Sequence, residues 1–594
     1  MARKLRGSRD GRLGRRRLLQ GAGLLSLNLL IALACGDGED PPLTTLDSTI
    51  TLDDEGTLGK APGEPYVVRT ELAPAKAGRE VTRRSLLVFH QLSDFRIVDE
   101  ESPLRSEWVE SCEAPLSAGA FRPQESLSLQ ASAAMVAQAN RIDRSPVSGR
   151  PVDFAAHTGN AADNAQRNEL RWFLDLLDGR PLNPNSGAAA YEGVQEESPA
   201  DAYPGLLEDA QRPFVGQALR YPWYTVVGNR DVLAQGNFAA NDAAKSIAVG
   251  GEKVIKLGTA ASEELCSDPS ALLSPGSSDK ILGDPETVVR SVSTDPERRL
   301  VSRKEWIEEH FKTADAPGPT GHGLKQENRD GGIAYYALEH GPVAVIVLDT
   351  VNPGGFAAGS IDARQFAWLE QQLIARSSVY VDSAGRAVKT ENEDRFIVVV
   401  SHHPSDEMNN PFPDPETKEE RFRGPQLEEL LQRFANVVLH VAGHNLQHRL
   451  TPKPDPEHRS AGYWEVTTGS PLDYSMQSRL LEIVDNSDGT ISIFSTVYDG
   501  AAPVNPGDAE DPTPDDGVNE RLLASVARQV GMRDPQRNAQ AAGLAASDRN
   551  AELLLIAPFE LAKDQSPAAR RREGNPRGRG SSRRQLLGSL LSVR

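Results

Sequence analysis

The chain has 594 residues, 38% of them apolar and 25% charged, with 50 Gly and 41 Pro. That is enough apolar sequence for a buried core, and the length suits about three or four ordinary domains, or one large α/β unit with long loops. The net charge of −19 argues against a nucleic-acid binder that neutralises phosphates with clustered Lys and Arg, and solubility is the plainer reading of the acidity.

Residues 1–35 read as an export signal rather than part of the fold. A basic region precedes an apolar stretch, Gly21 to Ala34, too short for a comfortable membrane span. Arg15, Arg16, Arg17, Leu18 and Leu19 are similar to a twin-arginine signal. Cys35 follows Ala32, Leu33 and Ala34. Two readings stay open there, lipid attachment at Cys35 or plain cleavage nearby. The chain is therefore expected in the cell envelope or periplasm, touching a membrane only through such a lipid. The other cysteines, Cys112 and Cys266, can pair once outside the reducing cytosol, or remain two free thiols.

Residues 36–80 are polar and read as a disordered tether. Strand signals follow at 86–92 (LLVFHQL), 152–158 (VDFAAHT) and 223–227 (WYTVV). Between the second and third, Leu170, Phe173, Leu174 and Leu177 share one face of a helix that Gly179 stops. Residues 232–330 are long and irregular, with a helix around 304–311, and read as an insertion. A hairpin turns at Gly341 and Pro342, and a helix spans 362–375. A β-branched strand at 396–400 is followed by a helix (PQLEELLQRFA) and a strand at 437–441. Three more strand candidates complete the run: WEVTT, RLLEIVDN and TISIFSTVYDG. This order predicts an α/β core with mixed sheets spanning 81–500. Residues 501–566 read as an acidic linker and a helical extension, and 567–594 as a disordered basic tail.

Polar residues recur at the strand ends. Asp94, Asn160, Asn229, His402 and His444 each follow an apolar strand closely, and each can ligate a metal. The carboxyl ends of strands in α/β sheets converge on one edge, where ligands bind. One Gly-Asn is usually a turn, but five such residues at five strand ends point to a site.

The order of these stretches resembles the calcineurin-like metallophosphoesterase superfamily. SDFR at 93–96, GNAADN at 159–164, GNRD at 228–231, SHHP at 401–404 and GHNL at 443–446 stand in the order of that family's five motifs. The resemblance runs from about Leu86 to Gly500. It implies a four-layer αββα sandwich of two mixed β-sheets flanked by helices, with long loop insertions. It also implies hydrolysis of phosphate esters by metal-activated water.

The departures matter as much. The family's first metal is held at positions that here are Asp94, Arg96, Asn160 and Leu446, and its second at Asn160, Asn229, His402 and His444. The position of the family's leaving-group histidine is Arg230, which with His403 makes up the catalytic candidates. Two dications about 3.5–4 Å apart repel, and bridging carboxylates offset this. Asn160 removes the bridging charge, and Arg96 and Arg230 add two positive ones. No two-metal centre is therefore expected. One divalent transition metal (Mn, Fe or Zn) at Asn229, His402 and His444, completed by Asp94 or Asn160, is expected to bind weakly because its three matched ligands are neutral.

Arg96 and Arg230 also suit a phosphate ester or another anion, unless they pair with Asp94, Asp99, Asp163 or Asp231 and close the cleft. His448 is expected at the surface rather than at the metal. The activity expected from the resemblance is thus weakened or lost; the alternative is a non-catalytic anion-binding or scaffold protein.

Overall fold

The computed structural model describes residues 43–53, 57–108, 120–197, 203–267, 284–313, 316–415, 417–457, 459–506, 520–534 and 545–561, and the structural statements below concern these. The signal at 1–35, Cys35, Cys112 and the basic tail lie outside them. Cys266 is disulfide-bonded.

Two sheets form the centre. Their strands, in chain order, are β1 (Val67–Leu72), β2 (Arg84–Leu92), β3 (Phe154–His157), β4 (Trp223–Thr225), β5 (Tyr336–His340), β6 (Val343–Val347), β7 (Phe396–Val400), β8 (Val437–Ala442), β9 (Arg449–Lys453), β10 (Tyr463–Thr467), β11 (Gln477–Asp485), β12 (Thr490–Asp499) and β13 (Ala551–Ile556). The first sheet runs β1-β13-β12-β11-β2-β3-β4 and the second β5-β6-β7-β8-β10-β9. In the first, β2, β3 and β4 are parallel. In the second, β6, β7, β8 and β10 are parallel. Every residue of β6, β7 and β8 is buried, as continuous apolar runs in parallel strands require.

The sheets pack face to face. Gln91 on β2 donates to the Ala442 carbonyl at the end of β8 (2.8 Å), and Trp464 on β10 donates to the Leu554 carbonyl on β13 (3.0 Å). Between them lies one apolar core shared by Phe89, Val345, Val398, Val441 and Leu481. The opposite face of β2 shows His90, which bonds the Ile142 carbonyl (3.2 Å) just past helix α1 (Ser128–Arg141). Helix α2 (Arg167–Asp178) buries Leu170, Phe173, Leu174 and Leu177 beside it and ends at Gly179 in the left-handed conformation. On the far side, Leu369 and Leu373 of α4 (Ala363–Ile374) and Leu427, Leu430 and Leu431 of α5 (Gly424–Gln432) cover Ile397 and Val399; α3, used below, is Arg303–His310. The layers are therefore helix, sheet, sheet, helix, in agreement with the expected fold class.

Three boundaries differ from the sequence reading. Residues 36–80 are not all tether. Ser48–Leu52 pairs with Leu58–Pro62, and β1 adds to the first sheet beside β13. The fold also passes residue 500: β13 joins β12, and helix α6 (Glu520–Gly531) sets Leu523, Val526 and Ala527 against Leu127 and Ala131. Finally, the stretch 232–330 is not wholly peripheral, because Val301, Trp306 and Ile307 around α3, with Leu324, enter the main core. Short apolar runs inside polar sequence carried each of these pieces, and partners distant in sequence supply the burial. Among the described residues no helix is long and apolar enough to cross a membrane.

Candidate metal site

The carboxyl ends of β2, β3, β4, β7 and β8 bring the five strand-end residues into one hydrogen-bonded network. Asn160 Nδ2 donates to Asp94 Oδ1 (2.9 Å). Asp94 Oδ2 accepts from Ser93 Oγ (2.6 Å) and from the His444 backbone N–H (3.0 Å). His444 Nδ1 lies 3.3 Å from His402 Nε2, which lies 2.9 Å from Asn229 Oδ1. Asp94, Arg96, Asn160, His444 and Leu446 all have positive φ, from 47° to 70°. Conformations this sparsely populated persist only where the surroundings over-determine them, and they cluster at functional sites.

Asp231 holds the loops together. Its carboxylate accepts from the backbone N–H of Gly228 (2.7 Å), Asn160 (3.0 Å) and Ala162 (3.0 Å). Burial raises its pKa to about 7 despite these bonds. Close approach also needs Gly443, where a Cβ would lie 2.1 Å from Ser93 Oγ and 2.8 Å from Asp94 Oδ2.

His402 Nε2 faces the Asn229 amide oxygen and the His444 ring. His402 Nδ1 lies 2.7 Å from the Thr158 carbonyl, which only accepts, so Nδ1 carries the hydrogen. In the neutral ring Nε2 is then an acceptor, 3.3 Å from His444 Nδ1. Asn229 Nδ2 donates to the Gly236 carbonyl (2.8 Å), which turns Oδ1 toward that nitrogen of His402. Burial first, then the charges of Arg96 and Arg230, lower the His402 pKa to about 4, which keeps the ring neutral. Two acceptors thus face each other with the half-buried His444 beside them. The set fits a divalent transition metal, which takes imidazole nitrogen and amide oxygen.

His402, His403 and His444 offer ligand atoms within 4.8 Å of one another. His403 is otherwise engaged. Its Nε2 donates to the Ala357 carbonyl (2.8 Å), and its Nδ1 meets Thr350 Oγ1 (2.7 Å). As placed it orients the loop and offers no free proton for catalysis. Asn160 is likewise spent, because its Oδ1 accepts from the Arg230 backbone N–H (2.8 Å).

The arginines face a buried carboxylate instead of solvent. Arg96 Nε lies 3.3 Å from Asp163 Oδ1, and Arg96 Nη1 donates to Asp473 (3.1 Å). Arg230 Nη1 and Arg122 Nη2 reach the same Asp163 Oδ1 at 3.0 and 2.8 Å, while Arg105 bonds Asp163 Oδ2. Arg105 also binds both oxygens of Glu125 at 2.8 Å. Burial alone would raise the Asp163 pKa, but Arg230, Arg122, Arg105 and Arg96 hold it well below the ordinary value. Arg96, desolvated and beside Arg230 and Arg122, falls to about 9. The reading of Arg96 and Arg230 as a free anion site is corrected by this geometry, as is that of Arg230 as a leaving-group donor. Arg105, Arg122, Glu125 and Asp473 went unnoticed in the sequence, since none sits at the end of an apolar strand.

His448 also needs correction. It is 1% exposed, with Nδ1 3.1 Å from Arg479 Nη2. It is a core residue, outside the network joining the five strand-end residues.

No family model matches the chain, and no curated protein matches it. Solved structures similar to it include a dimetal phosphatase from Danio rerio, at 13% identity over 70% of this chain and 100% of that chain, with a TM-score of 0.27. Another is purple acid phosphatase PPD1 from yellow lupin (Lupinus luteus) seeds, at 12% identity over 74% of this chain and 53% of that chain, with a TM-score of 0.27. A third is the sulfate thiohydrolase SoxB of Thermus thermophilus, at 11% identity over 76% of this chain and 61% of that chain, with a TM-score of 0.25. These neighbours have folds of metallophosphoesterase type. Similarity this remote carries no functional conclusion.

Proposed function

We propose that the chain is an exported protein of metallophosphoesterase-like fold that holds one divalent transition metal between Asn229, His402 and His444, and in which phosphate-ester hydrolysis is weakened or lost. The observation that carries this is the convergence of Asn229 Oδ1 and His444 Nδ1 on His402 Nε2, at 2.9 and 3.3 Å. A bound metal would supply a Lewis acid for a phosphoryl oxygen or a water. The chain's own residues orient the donors: Thr158 fixes the His402 ring, Gly236 fixes the Asn229 amide, and Asp94 fixes the His444 backbone.

A scaffold role in the cell envelope is the second reading. It is favoured by Asp163, which draws Arg96 and Arg230 away from any ligand. The envelope location, with or without a lipid on Cys35, rests on the N-terminal sequence alone.

Metal analysis of the purified chain, with phosphomonoesterase and phosphodiesterase assays in Mn²⁺, Zn²⁺ and Fe²⁺, tests the proposal. About one ion per chain in the presence of excess metal, lost in His402→Ala, is the expected result. Two ions per chain would overturn the single-metal reading. Hydrolysis well above a His402→Ala control would overturn the loss of activity.

A further inference from the structure

Behind the candidate metal site, on the face of the second sheet turned toward α5, lies a chain of three buried side chains. Ser401 Oγ is 2.8 Å from His440 Nε2, and His440 Nδ1 is 2.9 Å from Glu465 Oε2. Ser401 and His440 are 0% exposed and Glu465 is 2% exposed. The spacing is that of a nucleophilic triad, but no substrate reaches Ser401. Its hydroxyl hydrogen is also committed, because Oγ lies 2.8 Å from the His403 carbonyl, which can only accept.

Hydrogen counting then sets the state of His440. Ser401 Oγ gives its hydrogen to the His403 carbonyl, so it accepts from His440 Nε2, which must carry one. Glu465 Oε2 also accepts from the Ser405 backbone N–H (2.9 Å), and Oε1 lies 3.2 Å from Lys453 Nζ. Burial alone would raise the Glu465 pKa, but His440, Lys453 and the Ser405 N–H hold it well below the ordinary carboxylate value. With the Ser405 N–H and the Lys453 ammonium both directed at Glu465, the geometry makes its carboxylate the acceptor and gives His440 Nδ1 the hydrogen between them. Both ring nitrogens are protonated.

We propose that the Glu465–His440 ion pair is a positioning device that clamps the His402–His403 turn from both ends. One arm runs through His440 and Ser401 to the His403 carbonyl, and the other goes directly from Glu465 to the Ser405 N–H. β8 and β10 place His440 and Glu465 as register partners, so the clamp is built into paired strands and not into a loop. His402 lies between Ser401 and Ser405, the two residues the pair contacts, and this fixes the backbone from which its ring reaches Thr158 and Asn229. Charged and polar groups facing the pair are Lys453, Ser405 and Glu428, the last bonded to Lys453 at 2.7 Å.

The clamp's effect on metal binding rests on the metal site proposed above, but its own state can be read without a metal. Selective ¹⁵N-histidine NMR of the wild-type chain at neutral pH should show His440 with two protonated ring nitrogens and His402 with one. A neutral His440 would overturn the clamp whatever binds at the site. In parallel, Co²⁺ titration followed by visible absorption should show about tenfold weaker binding in Glu465→Gln and in the milder Ser401→Ala, with partial recovery in Glu465→Asp. Unchanged Co²⁺ affinity in both weakened variants would overturn the positioning role. If the wild type takes up no Co²⁺, the metal reading falls, and the His440 ring alone decides the clamp.

Discussion

Arg96 and Arg230 converge on a single oxygen of Asp163, at 3.3 and 3.0 Å. By the sequence resemblance alone, each would stand where the metallophosphoesterase pattern has a histidine. Their guanidinium groups bring permanent charge to the strand edge, and Asp163 neutralises it together with Asp473. The cation on this side of the cleft is thus part of the chain itself.

Asp163 should be a keystone for stability. Asp163→Asn leaves Arg96, Arg105, Arg122 and Arg230 without their shared carboxylate in a buried place. Loss of one partner of such a network costs about 3–5 kcal/mol. Urea denaturation should show a midpoint lowered accordingly, whereas a small shift would mean that water already screens the cluster.

Asn160→Asp should couple stability to metal. The Asn160 amide donates to Asp94 across 2.9 Å, and a carboxylate there would face a carboxylate. Without metal the variant should melt below the wild type. Millimolar Mn²⁺ should raise its Tm more than it raises that of the wild type, since a cation bound only to the folded chain stabilises it by mass action. Differential scanning fluorimetry with and without Mn²⁺ checks both signs.

Gly443→Ala should disrupt the His444 loop. The added methyl would meet Ser93 Oγ and the Asp94 carboxylate at impossible distances, and overpacking of this kind costs about 1–3 kcal/mol. A lower Tm together with loss of the Zn²⁺-induced Tm rise is expected.

Acid sensitivity is expected from His310. It is buried, with Nδ1 bonded to the Trp306 carbonyl (2.8 Å) and Nε2 to Thr225 Oγ1 (3.1 Å). Burial lowers its pKa to about 4. The unfolded ring therefore takes a proton first as pH falls below about 6.5. His310's contribution is complete above that value and is lost toward pH 4, at about 1.4 kcal/mol per pH unit. Glu100 and Glu169, raised to about 8 by burial, act in the opposite direction. The test is therefore the stability difference between wild type and His310→Gln, which should shrink between pH 6.5 and pH 4 and stay flat above 7.

Much of the fold was legible in the chain. Leu170, Phe173, Leu174 and Leu177 announced α2 because a helix repeats every 3.6 residues. The apolar runs of β6 and β7, and the run of β8 broken only by His440, announced strands of an α/β core. Asp94, Asn160, Asn229, His402 and His444 were recognisable because each follows such a strand, and the structure joins all five in one network.

Other features were decided only by tertiary structure. β1 and β13 stand in stretches that read as tether and extension, and they join the first sheet by pairing with each other and, for β13, with β12. His448 looked like a surface residue because neighbours in sequence say nothing about Arg479 packed against it. The sequence by itself determined which chemical groups stand at the strand ends, since strand periodicity fixes those positions locally. Tertiary structure decided how the groups are used: Arg96 and Arg230 turn to Asp163, and His402 turns its Nε2 toward Asn229 and His444. Hydrogen bonds and ion pairs depend on distances of a few ångströms between residues tens to hundreds of positions apart, which no local pattern encodes.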